Sequence, residues 1–184
     1  MDIIEQYRQQ LKSGGVQVVS APQLFETPND LAMRMVDLAA IEPNHRILEP
    51  SAGLGAILRA IGPGPDKVAV EINYDLVKGL ARAGFSGLHT VHADFLECED
   101  LGIFDRVIMN PPFTNGQDIK HIKHAFDLLK PGGRLVAVCA NGPRQREKLK
   151  PLVEASGGIW EDLPAGTFRH VGTMVNTALI VWEA

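Results

Sequence analysis

Short apolar runs alternate along the chain with longer amphipathic stretches. Five runs rich in Val, Ile and Leu predict buried strands, since strands of a parallel sheet are apolar on both faces. These runs cover 46–49, 67–71, 89–93, 105–110 and 134–140. The stretches between them have the length of helices, which is typical of βαβ units with helices on both faces of a mostly parallel sheet. Two further runs, 159–163 and 177–182, have no helix between them and predict an antiparallel hairpin.

The first helix of this pattern has a marked start. Thr27 is expected as its N-cap, with Pro28 at the first helical position and Asp30 at the third. The sequence also predicts an N-terminal helical extension over residues 1–24, to which we assign no role. At 184 residues, we expect a single domain that spans 1–184.

Composition favours a cytoplasmic protein without a membrane span. Hydrophobic residues make up 45% of the chain, yet no apolar run approaches the roughly 20 residues of a membrane helix. Asp2 and Glu5 stand where a signal peptide would carry basic residues. The two cysteines, Cys98 and Cys139, lack the spacing of metal ligands and suggest a reducing compartment.

Charge is distributed unevenly along the chain. The formal net charge is −4, but residues 120–150 hold eight basic and two acidic residues, a local charge of +6. A localised basic surface can attract a phosphate backbone even when the whole molecule is acidic. The alternative is that these residues are solvated helix faces.

The first predicted strand is followed by a glycine-rich turn, E-P-S-A-G-L-G at 49–55. Gly53 and Gly55 let the backbone turn sharply and approach a ligand closely. A dinucleotide fold would have a third glycine where Leu58 stands. Glu49 would repel a pyrophosphate but would suit a cationic ligand. A tight turn that binds no ligand is the alternative interpretation.

Acidic residues also end the next two predicted strands. Ligands of open α/β sheets bind beyond the carboxyl ends of the strands. Glu71 could accept hydrogen bonds from both hydroxyls of a ribose, and Asp94 could accept from the exocyclic amine of an adenine on which Phe95 packs. Each acid alone could be a solvated loop residue or a helix cap. Three acids at three successive strand ends favour a ligand.

The fourth predicted strand ends in Asn110-Pro111-Pro112-Phe113. Proline cannot donate to a sheet ladder, so the strand stops here and the loop is stiff. The Asn110 amide oxygen and the Pro111 carbonyl are two acceptors that suit an NH₂ group on a planar substrate. Phe113 offers a face on which that substrate could stack.

At these residues the chain resembles the class I S-adenosylmethionine-dependent methyltransferases, and within them the N6-adenine type with an N-P-P-F motif. The resemblance runs from about Phe25 to Trp182. It implies a Rossmann-like sheet of seven strands, mostly parallel, with an antiparallel C-terminal hairpin strand. It also implies that Asn110 to Phe113 are catalytic. The cofactor-binding residues it implies are Phe25, Thr27, Glu49, Ser51, Gly53, Gly55, Glu71, Asp94, Phe95 and Asn110.

The implied reaction moves a methyl group from S-adenosylmethionine to an exocyclic amine. Acceptors at Asn110 and Pro111 would aim the nitrogen lone pair at the methyl group, and preorganised dipoles would stabilise the charge that grows on nitrogen. No metal is expected. His121 and His124 lie three residues apart on a predicted helix, but no third ligand stands nearby in the sequence.

The first candidate substrate is adenine N6 in DNA, which must leave the base stack to reach such a pocket. Ribosomal RNA adenine and a protein glutamine amide remain alternatives, as does an inactive subunit that binds cofactor and positions nucleic acid. DNA enzymes of this type usually carry a recognition domain, for which this chain has no room. Sequence choice would then come from a partner or from short insertions at 114–117 and 168–170. The expected nucleic-acid contacts are Lys120, Arg144, Arg146 and Arg169.

Overall fold

The structure, a computed structural model, describes residues 25–169 and 172–184. The strands are β1 Arg46–Pro50, β2 Asp66–Glu71, β3 Leu88–His92, β4 Phe104–Met109, β5 Leu129–Ala140, β6 Ile159–Asp162 and β7 Thr177–Glu183. The helices are α1 Asn29–Ala39, α2 Ala56–Ile61, α3 Tyr74–Arg82, α4 Gln117–Asp127, α5 Pro143–Lys148 and α6 Lys150–Ala155, with one-turn 3₁₀ helices at Phe95–Glu97 and Thr114–Gly116. The predicted helical extension at 1–24 lies outside the described residues.

All seven strands belong to one sheet in the order β3-β2-β1-β4-β5-β7-β6. The neighbours from β3 to β5 pair in parallel. β7 lies between β5 and β6 and is antiparallel to both. This confirms the predicted α/β fold, with its mostly parallel sheet and antiparallel C-terminal hairpin strand. None of the described helices is long and apolar enough to cross a bilayer.

Both faces of the sheet are buried, as the continuous apolar runs predict. On one face Val107 and Met109 of β4 belong to a core that also contains Ile122 of α4. On the other face Ile108 packs in a core with Met35 of α1. Successive residues of β4 thus serve opposite faces, and helices cover each face.

The fifth strand begins earlier than the sequence predicts. The apolar run indicates a start at Arg134, but β5 begins at Leu129, which pairs with Phe104. Pairing resumes between Arg134 and Arg106 after a shift of register. Gly132 has a φ of 77° within this interruption, and the Pro-Gly-Gly sequence hides the first part of the strand from a pattern search.

The predicted cap of the first helix is wrong by one residue. Pro28 occupies the N-cap position of α1, and no side chain caps the helix. Thr27 lies outside the helix, and its Oγ1 instead accepts a hydrogen bond from Asn110 Nδ2 at 3.1 Å. The Thr27 hydroxyl bonds to Asn110 at the end of β4 and not to the helix, and the local Thr-Pro-Asn-Asp pattern could not indicate this partner.

Candidate active site

The turn after β1 adopts a left-handed backbone at three positions. Ser51, Gly53 and Gly55 have φ values of 59°, 54° and 74°. A Cβ at Gly55 would also lie 2.8 Å from Leu80 Cδ2, so a larger residue there would both strain the backbone and displace the Leu80 side chain. The turn brings the start of α2 to the carboxyl edge, which we define as the edge where β1 to β5 end.

Glu71 connects this turn to the end of β2. Its Oε2 accepts from the Gly53 N–H and its Oε1 from the Asn73 N–H, both at 2.9 Å. The side chain is buried. A carboxylate offers about four acceptor positions. Two remain for other donors, which suits the paired hydroxyls of a ribose.

Glu49 at the end of β1 is buried and incompletely bonded. Its Oε2 has no hydrogen-bond partner among the described residues. Burial raises the pKa of this carboxyl well above its usual range. A backbone hydrogen bond from Leu58 lowers this pKa in part, and the negative charge of Glu71 raises it further. A buried acceptor of this kind fits a cationic donor such as the ammonium group of an amino acid.

Asp94 and Phe95 follow β3 and make different contacts. Asp94 Oδ1 caps the short Phe95–Glu97 helix through the Leu96 N–H at 2.9 Å. The Phe95 ring is 3% exposed, and its centroid lies 5.6 Å from that of His121 and 4.7 Å from that of His124. The ring belongs to the core that also contains Ile122 of α4, and its predicted packing on an adenine stays a prediction.

Asn110 stands just beyond β4 with its amide held in one orientation. Its Nδ2 donates to the Phe25 carbonyl at 2.9 Å and to Thr27 Oγ1 at 3.1 Å. Its Oδ1 is buried and has no partner among the described residues. The structure thus leaves an acceptor at the carboxyl edge and commits the donor of the same amide to the N-terminal segment.

Phe113 is enclosed by two other aromatic rings. Phe25 stacks on it with a centroid distance of 6.2 Å, and Phe168 meets it edge-on at 6.1 Å. Phe113 is 8% exposed and Phe168 is fully buried. The face that a planar substrate would use is therefore covered here by Phe25, the first described residue.

The inner face of α4 carries site residues whose position the sequence did not indicate. His121 Nδ1 lies 3.4 Å from Ser51 Oγ, so α4 contacts the glycine-rich turn. Burial lowers the pKa of His121 to about 4. His124 instead contacts the Cys98 carbonyl through Nε2 at 3.1 Å. Within the described ranges, no His, Cys, Asp and Glu side chains group as a metal site would require.

The four predicted nucleic-acid contacts are all exposed, but they differ in their partners. Arg144 lies over the loop after β4, where a Cβ on Gly116 would come within 2.9 Å of its Nη1. Arg146 forms an ion pair with Asp162 at 2.6 Å. Lys120 is in the second turn of α4, and Arg169 is in the hairpin connection. Arg144 is therefore the basic side chain that the structure ties most directly to the loop after β4.

The sequence profile of one family matches residues 44–160, under the description methyltransferase small domain. The chain belongs to the methyltransferase small domain family. A comparison with curated proteins gave no match.

Solved structures share the fold of this methyltransferase small domain. TrmN from Thermus thermophilus has a TM-score of 0.64 and 21% identity over 85% of this chain and 49% of its own. A Listeria monocytogenes protein assigned to the class I S-adenosylmethionine-dependent methyltransferases has a TM-score of 0.71 and 17% identity over 98% and 67%. A dimethyladenosine transferase from Plasmodium falciparum has a TM-score of 0.67 and 14% identity over 88% and 63%. The chain spans about half the length of the Thermus protein.

S-adenosylmethionine is the cofactor that this family and fold imply for the chain. The residues present at the carboxyl edge fit it. Glu71 keeps free acceptor capacity for a ribose, and the unpartnered Glu49 Oε2 suits its ammonium group. The left-handed turn at Gly53 and Gly55 allows a close approach of the backbone.

Proposed function

We propose that this methyltransferase methylates the exocyclic N6 amine of adenine in nucleic acid, with DNA as the first candidate substrate. The observation that carries the proposal is the Asn110 amide. Its NH₂ group is used by Phe25 and Thr27, while its buried Oδ1 has no partner among the described residues. Leaving a buried acceptor unsatisfied costs about 1–3 kcal/mol, so the site favours a ligand that donates a hydrogen bond there.

An amine substrate satisfies this demand in a catalytically useful way. One N–H of the amine would donate to Asn110 Oδ1, which orients the nitrogen and makes it more electron-rich. When bound, S-adenosylmethionine supplies a methyl group that is activated by its sulfonium. As the N–C bond forms and the S–C bond breaks, the sulfur would become a neutral thioether and the nitrogen would become positive. The Asn110 dipole would stabilise that charge until a proton leaves to water. Pro111 and Pro112 stiffen the loop that holds this acceptor.

The aromatic residues favour a planar substrate. Phe113 lies between Phe25 and Phe168, so a base that stacks on Phe113 would replace its contact with Phe25. Stacking of a base on an aromatic side chain contributes roughly 1–3 kcal/mol.

Charge and likeness both support a nucleic acid. Arg144 is exposed and lies beside the loop that follows Phe113. A guanidinium there could bind the phosphate of a nucleotide whose base enters the pocket. The structurally similar Plasmodium protein is named a dimethyladenosine transferase, which supports an adenosine substrate. RNA stays the second candidate.

The test is methyl transfer from labelled S-adenosylmethionine to DNA, ribosomal RNA and whole-cell protein, followed by identification of the modified residue. We expect N6-methyladenine in DNA. Label on RNA adenine would make RNA the substrate in place of DNA, with the same methylation of the adenine N6 amine. Label on a protein glutamine, with none on nucleic acid, would contradict the proposal. Cofactor binding without transfer to any of these substrates would support the inactive-subunit alternative instead.

A further inference from the structure

Asp118 is a buried carboxylate that the proposed chemistry does not use. It lies in the first turn of α4 and is 0% exposed. Its Oδ1 accepts from the Ile119 N–H at 3.0 Å and from Gln145 Nε2 at 3.1 Å. Its Oδ2 accepts from the Ala140 N–H at 3.0 Å and from the same Gln145 Nε2 at 2.9 Å. These four hydrogen bonds all come from uncharged donors.

These partners come from three segments that meet at the carboxyl edge. Ala140 is the last residue of β5, Gln145 is a buried residue of α5, and Asp118 follows the loop after β4. The segment 110–116 is therefore fixed at one end by β4 and at the other by Asp118. We call Asp118, Gln145 and the Ala140 N–H the carboxylate clamp.

The segment held by the clamp ends in a left-handed backbone. Asn115 and Gly116 have φ values of 56° and 73°, which cost little at asparagine and nothing at glycine. Arg144, the neighbour of Gln145, lies directly over Gly116. The clamp thus fixes the loop that carries Asn110 and Phe113 together with the arginine above that loop.

Burying a carboxylate without a cation is costly, which argues against a purely stabilising role. Burial raises the pKa of Asp118, while its hydrogen bonds from Ala140 and Gln145 oppose the shift. An apolar pair of similar volume would pack as well at lower cost. It would not, however, bind the end of β5 and the side chain of α5 in one geometry.

We propose that Asp118 is a positioning residue, which through Gln145 and the Ala140 N–H holds the Asn110–Gly116 loop in the geometry required for methyl transfer. This inference rests on the proposed function. Asp118 has no predicted contact with the cofactor or the substrate, so its removal should lower kcat and leave the binding of S-adenosylmethionine unchanged.

The test is Asp118→Asn. Gln145 can turn its amide to offer an oxygen to the new NH₂ group. The asparagine keeps only one oxygen, however, so either the Ile119 N–H or the Ala140 N–H must face that NH₂ group. We expect kcat to fall roughly 10- to 100-fold in this variant, the size of effect that a small misplacement produces.

Asp127→Asn, at the far end of the same helix, is the matched control and should behave as the wild type. Calorimetry should give cofactor dissociation constants within about twofold for all variants. A kcat of Asp118→Asn within about twofold of the wild type would overturn the inference.

Hydrogen exchange of residues 113–117 separates this inference from the proposed function, because it needs no substrate. We expect faster exchange of this segment in Asp118→Asn than in the wild type, with 51–55 unchanged. Unchanged exchange at 113–117 would overturn the clamp even if the enzyme methylates adenine. If the wild type methylates no substrate but exchange accelerates as expected, the proposed function fails and the clamp stands.

Discussion

Replacing His121 by Gln should remove a large pH dependence from the stability of the protein. Burial lowers the pKa of His121 from its ordinary value of 6.5 to about 4, with the charge of Asp94 opposing the shift and that of His124 adding to it. Between these two pH values the unfolded chain binds a proton that the folded chain does not. The free energy of unfolding therefore falls as the pH falls from about 6.5 towards about 4, and this loss is absent above the unfolded pKa.

The size of the effect follows from the difference between the two pKa values. Because proton binding is linked to unfolding, His121 should lower the free energy of unfolding by about 2 kcal/mol between about pH 7.5 and about pH 5. Below about pH 4 the total loss should be about 3 kcal/mol. Urea unfolding followed by circular dichroism would measure it. Glu49 and Asp118 also titrate abnormally, but they are present in both proteins and cancel in the difference.

The control is His89→Gln. The His89 side chain is 75% exposed, and its ion pair with Asp66 at 3.6 Å lies at the surface. We expect the stability of His121→Gln relative to the wild type to rise by about 2 kcal/mol on going from about pH 7.5 to about pH 5. His89→Gln should show no such rise. Parallel pH profiles for wild type and His121→Gln would refute the reasoning and would place His121 in contact with water.

Three further variants test other parts of the site. Glu71→Gln should weaken binding of S-adenosylmethionine by about 1.5–3 kcal/mol in calorimetry, because an NH₂ group would face backbone N–H donors. The control Glu97→Gln should bind the cofactor as the wild type does. Equal cofactor affinity of the two variants would contradict the assignment of Glu71 to the ribose. Phe113→Leu should raise the substrate KM, corresponding to roughly 1–3 kcal/mol of lost stacking, and leave cofactor affinity unchanged. Arg144→Ala should reduce the slope of log affinity for nucleic acid against log salt by about one, which Lys130→Ala should not. An unchanged slope would exclude Arg144 from phosphate binding.

The architecture was predictable because buried parallel strands are apolar on both faces. The run at 105–110 became β4, whose residues serve both cores. The two runs without a helix between them became β6 and β7, with the predicted antiparallel pairing. Local residue pattern carries this information, because the length and flanks of each run are set within a few positions.

The site was less predictable because its contacts join distant positions. Asn110 and Phe25 are 85 residues apart, and Asp118 and Gln145 are 27 apart. Nothing local to Asp118 distinguishes it from a solvated acid in the first turn of a helix. Phe95 likewise follows a strand end in the sequence, and only the packing of α4 shows that its ring is buried. The cofactor and catalytic assignments of individual residues stay predictions.

Arg144 and Arg146 also differ in their acidic partners. Both belong to the basic stretch, but Arg146 pairs with Asp162 on the neighbouring strand. At the opposite edge Lys130 binds Asp105 at 2.8 Å and Arg134 binds Glu183. A charge count along the sequence cannot show which basic side chains already have acidic partners.

The most direct test of the central claim, that Asn110 Oδ1 accepts a hydrogen bond from the substrate amine, is a single-turnover measurement on Asn110→Ala. The exposed Asn44→Ala, in the turn before β1, is the matched control. We expect methyl transfer to fall by roughly 100-fold or more at saturating substrate, the loss typical of removing one preorganised hydrogen-bonding group. The affinity for S-adenosylmethionine should stay within a few-fold. Near-normal turnover by Asn110→Ala, or a loss explained entirely by weaker cofactor binding, would contradict the account.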